Sequence, residues 1–244
     1  MGKFWYVVNK VIQQADIIME ILDARLINET RNSEIERKIA QSGKKILYVV
    51  TKCDLVEQDT LRHLQKELYP SVYVSGVERF GTTILKKKIL ELSEGNPVTV
   101  GVVGYPNVGK SSIINALAGR HAARTSPESG FTKGVQKVRV DHKIMLLDTP
   151  GVFPYKEKNE VKHGLMGAYD YAKVKDPEVV VLGFIEKHTE MVKKFYKVKG
   201  DDIEDILERI ALKLQRLRKG DRPDLEATAR AILKDWQTGK MRKV

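Results

Sequence analysis

Gly104-Tyr105-Pro106-Asn107-Val108-Gly109-Lys110-Ser111 fits the pattern G-x-x-x-x-G-K-[ST], and its setting decides the fold. The apolar run Val98 to Val103 before it reads as a strand, and Lys110 to Leu117 after it reads as a helix. A phosphate loop needs that strand–loop–helix context. Gly104 and Gly109 let the backbone curl so that successive N–H groups and the helix N-terminus face a phosphate. Lys110 is placed to reach the β- and γ-phosphate oxygens and Ser111 to ligate magnesium. Pro106, Asn107, Val108 and Ser112 complete the cradle.

Downstream, Asp148-Thr149-Pro150-Gly151 closes the apolar run Ile144 to Leu147. There Asp148 suits a water-mediated contact to magnesium, and the Gly151 N–H suits the γ-phosphate. Thr132, in the loop between the phosphate-loop helix and the next strand, is a second candidate magnesium ligand whose place depends on the γ-phosphate. The catalytic candidates are thus Lys110, Thr132 and Gly151. Upstream, Thr51-Lys52-Cys53-Asp54 follows the strand-like run 46–50 and fits [NT]-K-x-D. A carboxylate at Asp54 accepts from N1–H and N2–H₂ of guanine; adenine offers no such donor pair and leaves it unpaired. Lys52 is expected to lay its stem across the base, and Ser75-Gly76, after the strand at 72–74, to support it through backbone N–H groups.

The intervening pattern alternates strands and helices. Ile17 to Leu22 reads as a buried strand, Ser33 with Glu36 as a capping box that opens a helix ending at Gly43, and Leu61 to Leu68 and Thr82 to Leu92 as further helices. A hairpin is expected around Asp141-His142. Such alternation implies a mostly parallel sheet covered on both faces, an α/β class. The order of the loops is unusual: the base-reading elements precede the phosphate loop, which precedes Thr132 and Asp148–Gly151. In most GTPases the phosphate loop comes first. The order is that of a circularly permuted, Ras-like G domain, its original termini joined through the short segment 93–97.

On these motifs, with Asp23-Ala24-Arg25 after the first strand, Gly104 to Ser112, and Arg230-Ala231-Ile232-Leu233 ahead of Gly239-Lys240, the chain resembles the YlqF/RbgA family of circularly permuted ribosome-assembly GTPases. The resemblance spans nearly the whole chain. It implies a G domain over residues 1–155 and a helical domain over 160–244. It also implies GTP hydrolysis as a switch in large ribosomal subunit assembly, with the large subunit or its precursor and ribosomal RNA as partners. Bacterial members carry a histidine near the N-terminus that has been proposed to assist hydrolysis; here Phe4-Trp5-Tyr6 is followed by Asn9. Val152 stands where many GTPases place a water-orienting glutamine, so hydrolysis is expected to be slow alone and stimulated by the ribosome or RNA. Asn107 occupies the place where related GTPases hold potassium through an asparagine, so K⁺ is a second possible cation beside Mg²⁺. The rival readings are a GTPase that regulates a protein partner without RNA, and a passive GTP-binding module.

Composition agrees with this class. The chain has 244 residues, 42% of them hydrophobic and 31% charged, enough to bury a core. Its single cysteine, Cys53, excludes a disulfide framework, and the five histidines show no metal-ligand spacing. Apolar runs are too short to cross a bilayer, so no membrane role is expected; a cytoplasmic location and a monomer when free are the accompanying expectations. A net charge of +11, shared between both halves of the chain, favours polyanions. In the C-terminal part, Lys193-Lys194-Lys197-Lys199, Lys213-Arg216-Arg218-Lys219 and Lys240-Arg242-Lys243 are candidate contacts to RNA phosphates.

Overall fold

The computed structural model describes residues 3–78, 80–119, 135–151, 153 and 159–242. The chain divides into two compact units, Met1–Glu157 and Lys158–Val244.

The first unit opens with α1 (Lys3–Gln14), β1 (Ile17–Asp23), the single turn α2 (Ile27–Thr30), α3 (Ser33–Gln41) and β2 (Lys45–Thr51). It continues with α4 (Gln58–Glu67), β3 (Ser71–Tyr73), α5 (Thr82–Leu92), β4 (Val98–Val103), α6 (Lys110–Ala118), β5 (Gln136–Arg139) and β6 (Ile144–Asp148). The six strands form one sheet in the order β3-β2-β1-β4-β6-β5. Only β5 runs antiparallel, joined to β6 by the expected hairpin, whose turn Asp141 closes by accepting from the Lys143 and Ile144 amides. Crossover connections suit a sheet buried on both faces, and β1 is buried along its whole length. Trp5, Val8, Val11 and Ile12 of α1 pack with Ile18, Ile35, Ile39, Val103 and Leu147, so the N-terminal apolar stripe is core.

The chain builds β1, β2 and β3 outward in one direction, then places β4 on the other flank of β1. That reversal makes a topological switch point between β1 and β4, and open α/β sheets bind ligands beside the carboxyl ends of strands at such a point. The phosphate loop leaves β4 there, and the loops at Thr51, Ser75 and Asp148 leave β2, β3 and β6 along the same edge.

Two local readings are corrected. Asn32, not Ser33, caps α3: its side chain accepts from the Glu34 and Ile35 amides. Glu36 is engaged by Arg31 through two 2.8 Å bonds instead of reaching back to the cap. In the second unit, α10 (Ile203–Lys213) ends before Leu217, because Gln215 takes φ +54°. Leu217–Arg218 and Arg222–Pro223 form a two-stranded hairpin, β7–β8, within what reads as helical sequence.

The other elements of that unit are α7 (Glu160–Leu165), α8 (Pro177–Lys187), α9 (Thr189–Tyr196) and α11 (Leu225–Gln237). They surround Phe184, Ile206, Ile210 and Trp236, all fully buried. The Trp236 indole donates to the Leu165 carbonyl at 2.8 Å. Arg230 donates to the carbonyls of Tyr171, Ala172 and Val174, so the conspicuous Arg230–Leu233 segment pins a turn. Among the described residues, no helix is long and apolar enough to cross a membrane.

Inside the apolar run of β1 sits Glu20, fully buried. One carboxyl oxygen accepts from the Asn32 amide at 2.8 Å, and the other has no partner among the described residues. Burial, aided by the nearby Glu36 charge and opposed by the Asn32 bond and Arg31, pushes its pKa up from 4.5 to about 8. Between those values the folded chain holds a proton that the unfolded chain has lost, so this group lowers stability as pH rises, by up to about 1.4 kcal/mol per unit. Glu20→Gln is expected to flatten that decline. Urea unfolding at pH 5 and pH 8 checks it; equal losses in variant and wild type would count against a protonated Glu20.

Candidate functional site

The phosphate loop takes its shape from residues in the left-handed region. Gly104 has φ +148°, Asn107 φ +60° and Gly109 φ +105°. At Gly104 a side chain is excluded twice, since a Cβ would lie 2.7 Å from the Ile21 carbonyl oxygen of β1. The loop thereby lies tight against the switch point, just ahead of α6, whose N-terminus is a suitable place for an anion.

Lys110 is buried at the first turn of α6, its ammonium donating to the Gly104 and Tyr105 carbonyls. Burial lowers its pKa to about 8, against the pull of the Asp148 carboxylate. Asp148, at the end of β6, is buried too, and burial raises its pKa to about 6 in spite of Lys110. Its Oδ1 has no hydrogen-bond partner among the described residues. Both groups are thus pushed toward neutrality, a direction that a polyphosphate beside Lys110 and a divalent cation beside Asp148 would reverse. An orphaned buried carboxylate oxygen on one side, with the Ser111 hydroxyl on α6, is a donor set that fits magnesium.

The Asp148–Gly151 segment is fastened to the same loop. Thr149 Oγ1 donates to the Val102 carbonyl at 2.6 Å. Gly151 lies so close to Pro106 that a Cβ would sit 2.6 Å from its Cα and N. Phe153 packs edge-on against the buried Tyr105 ring at 5.8 Å. Gly151→Ala should therefore push this segment off the phosphate loop. If the Gly151 amide holds the γ-phosphate, GTP affinity falls by about tenfold or more while GDP affinity stays within about threefold. Titration with both nucleotides checks this, and equal losses would contradict it.

The base-reading candidates converge on the same edge. Thr51 Oγ1 donates to the Val108 carbonyl of the phosphate loop and lies 2.9 Å from the Leu22 carbonyl. Lys52, at φ +56°, donates from Nζ to the Asn107 carbonyl at 3.2 Å and to Asp23 at 2.7 Å. Asp54 is the middle residue of the short turn Cys53–Leu55, half-buried. Ser75 is buried and accepts from the Glu78 amide, and Gly76 meets α6 at Ser112, where a Cβ would lie 3.2 Å from the Ser112 Cβ. The loops at 51–54, 75–76, 104–112 and 148–151 therefore form one continuous patch. Thr132 and Val152 lie outside the described residues, as does Lys243. One participant has no signal of its own in the sequence: Asp23 stands out only as part of the family resemblance, yet it holds Lys52. Among the described residues, no cluster of three or more His, Cys, Asp or Glu has metal-binding geometry.

Against known proteins, a family profile described as a 50S ribosome-binding GTPase matches residues 99–214. An uncharacterized GTP-binding protein of Methanocaldococcus jannaschii, MJ1464, is 40% identical over 248 residues, covering 96% of this chain and 65% of that protein. Nucleolar GTP-binding protein 2 of Yarrowia lipolytica is 33% identical over 254 residues, covering 98% of this chain and 50% of that protein. The chain thus spans about half to two thirds of the length of these curated relatives. Among solved structures, GNP-bound YlqF from T. maritima superposes with a TM-score of 0.70 over 99% of this chain and 96% of that one, at 22% identity. The profile match begins at β4 and includes the phosphate loop and Asp148–Gly151. The candidate base-reading loops precede it, as a permuted order requires.

Proposed function

From its similarity to GTP-binding relatives and to the YlqF fold, we propose that the chain is a circularly permuted GTPase that binds and hydrolyses GTP as a switch in large ribosomal subunit assembly, in contact with ribosomal RNA. The observation that carries the guanine reading is the junction of Lys52 with the Asn107 carbonyl and of Thr51 with the Val108 carbonyl. Through it the base-reading and phosphate-binding loops, separated by some fifty residues, become walls of one site. Asp54 accepts from the guanine edge, the loop amides and Lys110 hold the phosphates, and Ser111 with Asp148 holds magnesium. When bound, magnesium neutralises charge on the β- and γ-phosphates. The Gly151 amide senses the γ-phosphate. Potassium at Asn107 and a ligand role for Thr132 extend this reading.

A ribosomal role draws support from the description of the matching family profile and from the charge of the second unit. Several lysines there are already engaged: Lys193 with Glu190, and Lys240 with Asp235. The hairpin is different in kind. Residues 212–222 are all exposed, and Arg216, Lys219 and Arg222 project from a short two-stranded turn. RNA phosphates are the partner such a cluster suits, with affinity that falls steeply with salt.

Sedimentation with large ribosomal subunits, in a non-hydrolysable GTP analogue and in GDP, tests the proposal. Nucleotide-dependent co-sedimentation that weakens with salt is expected. Absence of binding in either state would remove the ribosomal role and leave the nucleotide site standing.

A further inference from the structure

Asp23 ends β1 at the switch point, beside the phosphate loop, and is 1% exposed. Arg25, equally buried, grips both of its oxygens: Nε donates to Oδ1 at 3.1 Å, Nη2 to Oδ2 at 2.9 Å, and the backbone amide to Oδ1 at 3.0 Å. The Asp23 amide donates to Thr30 Oγ1 at 3.1 Å, and the Ala24 amide to the Thr51 carbonyl at 2.9 Å. This carboxylate is fixed in position and plane. Onto Oδ2 it takes a second cation, Lys52, at 2.7 Å.

Asp23 is already neutralised by Arg25, so stability alone does not call for the lysine. Burial would raise the Asp23 pKa, yet Lys52 and Arg25 together hold it well below the usual carboxylate range. Lys52 meanwhile gives up hydration and accepts a left-handed backbone. Buried ion pairs are weak sources of stability, and a strained, desolvated one is weaker still. What the arrangement does achieve is geometric. With its ammonium caught between Asp23 and the Asn107 carbonyl, the Lys52 stem is stretched across the gap between the base-reading and phosphate loops.

We propose that Asp23, gripped by Arg25, is a positioning residue for the nucleotide base: it anchors the Lys52 ammonium so that the lysine stem stands as a preformed wall of the base pocket. The inference rests on the guanine-nucleotide reading above and adds to it two residues outside the recognised loops. Preorganisation of this kind raises affinity by removing the ordering of a flexible side chain from the binding step.

A double-mutant cycle on the full chain tests it, with a fluorescent GDP and with inorganic triphosphate, which has no base. Asp23→Asn is expected to weaken GDP by about tenfold or more while leaving triphosphate affinity within about twofold. Because Asp23 acts through Lys52, adding Asp23→Asn to Lys52→Met should cost less than about threefold more. Should Asp23→Asn fail to fold, the Asp23→Asn/Arg25→Gln pair, which removes both buried charges, carries the same test. Unchanged GDP affinity, additive losses, or a parallel loss for triphosphate would overturn the assignment while leaving the guanine site intact. Failure of the wild-type chain to bind GDP would overturn the guanine reading, and the assignment with it.

Discussion

Asp54→Asn is expected to exchange guanine preference for xanthine preference. In the proposed site the carboxylate accepts from two guanine donors, and hydrogen bonds to a charged group are each worth about 1.5–3 kcal/mol. An amide in its place offers one oxygen and one NH₂, so one guanine donor meets another donor. Guanosine diphosphate should lose about a hundredfold or more in affinity. Xanthosine diphosphate, which presents a carbonyl where guanine has its amino group, should gain. Asp54 sits within a short turn, half-buried, so the change is not expected to disturb the fold. Competition against labelled GDP by the two diphosphates measures the exchange. Retained guanine preference would mean that Asp54 does not read the base.

Lys110→Met should separate binding from stability in an uncommon direction. The ammonium is buried, and its pKa, lowered to about 8, records the cost of keeping it charged there. Methionine keeps the stem and removes that cost. Nucleotide affinity and turnover should fall by about a hundredfold or more, since a desolvated cation facing phosphate is among the strongest terms in such a site. Stability of the nucleotide-free chain at pH 7 is expected to hold or to rise, by up to about 3 kcal/mol. Calorimetric unfolding beside a GDP titration checks both halves. A variant that binds normally would remove the phosphate-loop role, and one that unfolds would assign Lys110 to the core.

The fold and most of the candidate site are legible in the sequence because both are written in short-range patterns. A strand, a glycine-framed loop and a helix follow one another within about twenty residues, and each base-reading element directly follows its own strand. The order of those units then fixes the permutation without any knowledge of contacts. What is not legible depends on meetings across distance. Asp23 and Lys52 are 29 residues apart and come together only because β1 and β2 pair in parallel register, Asp23 opposite Thr51. Glu20 is hidden in a run that periodicity reads as apolar, since a strand buried on both faces leaves no alternation against which a carboxyl stands out.

The misread places have local causes as well. Ser33 with Glu36 satisfies the capping-box pattern, but Asn32 is the better acceptor one residue earlier, and Arg31 claims the glutamate. Asp201 to Leu217 reads as one helix, yet the helix ends at Lys213, with Gln215 at φ +54°, and Lys219-Gly220-Asp221 then turns the chain back as a hairpin, with Gly220 at φ +83° and Asp221 at φ +54°. The signal was present; the spacing of Ile206, Ile210, Leu214 and Leu217 outweighed it. Leu214 and Leu217 are in fact exposed, at 37% and 42%.

The central claim is that four loops, brought together in permuted order, make one guanine-nucleotide site. Calorimetric titration of the wild-type chain with GDP and with ADP, in magnesium, tests it most directly. GDP is expected to bind at least about a hundredfold more tightly than ADP, because adenine leaves Asp54 unpaired. Equal affinities for the two, or binding of neither, would contradict the account.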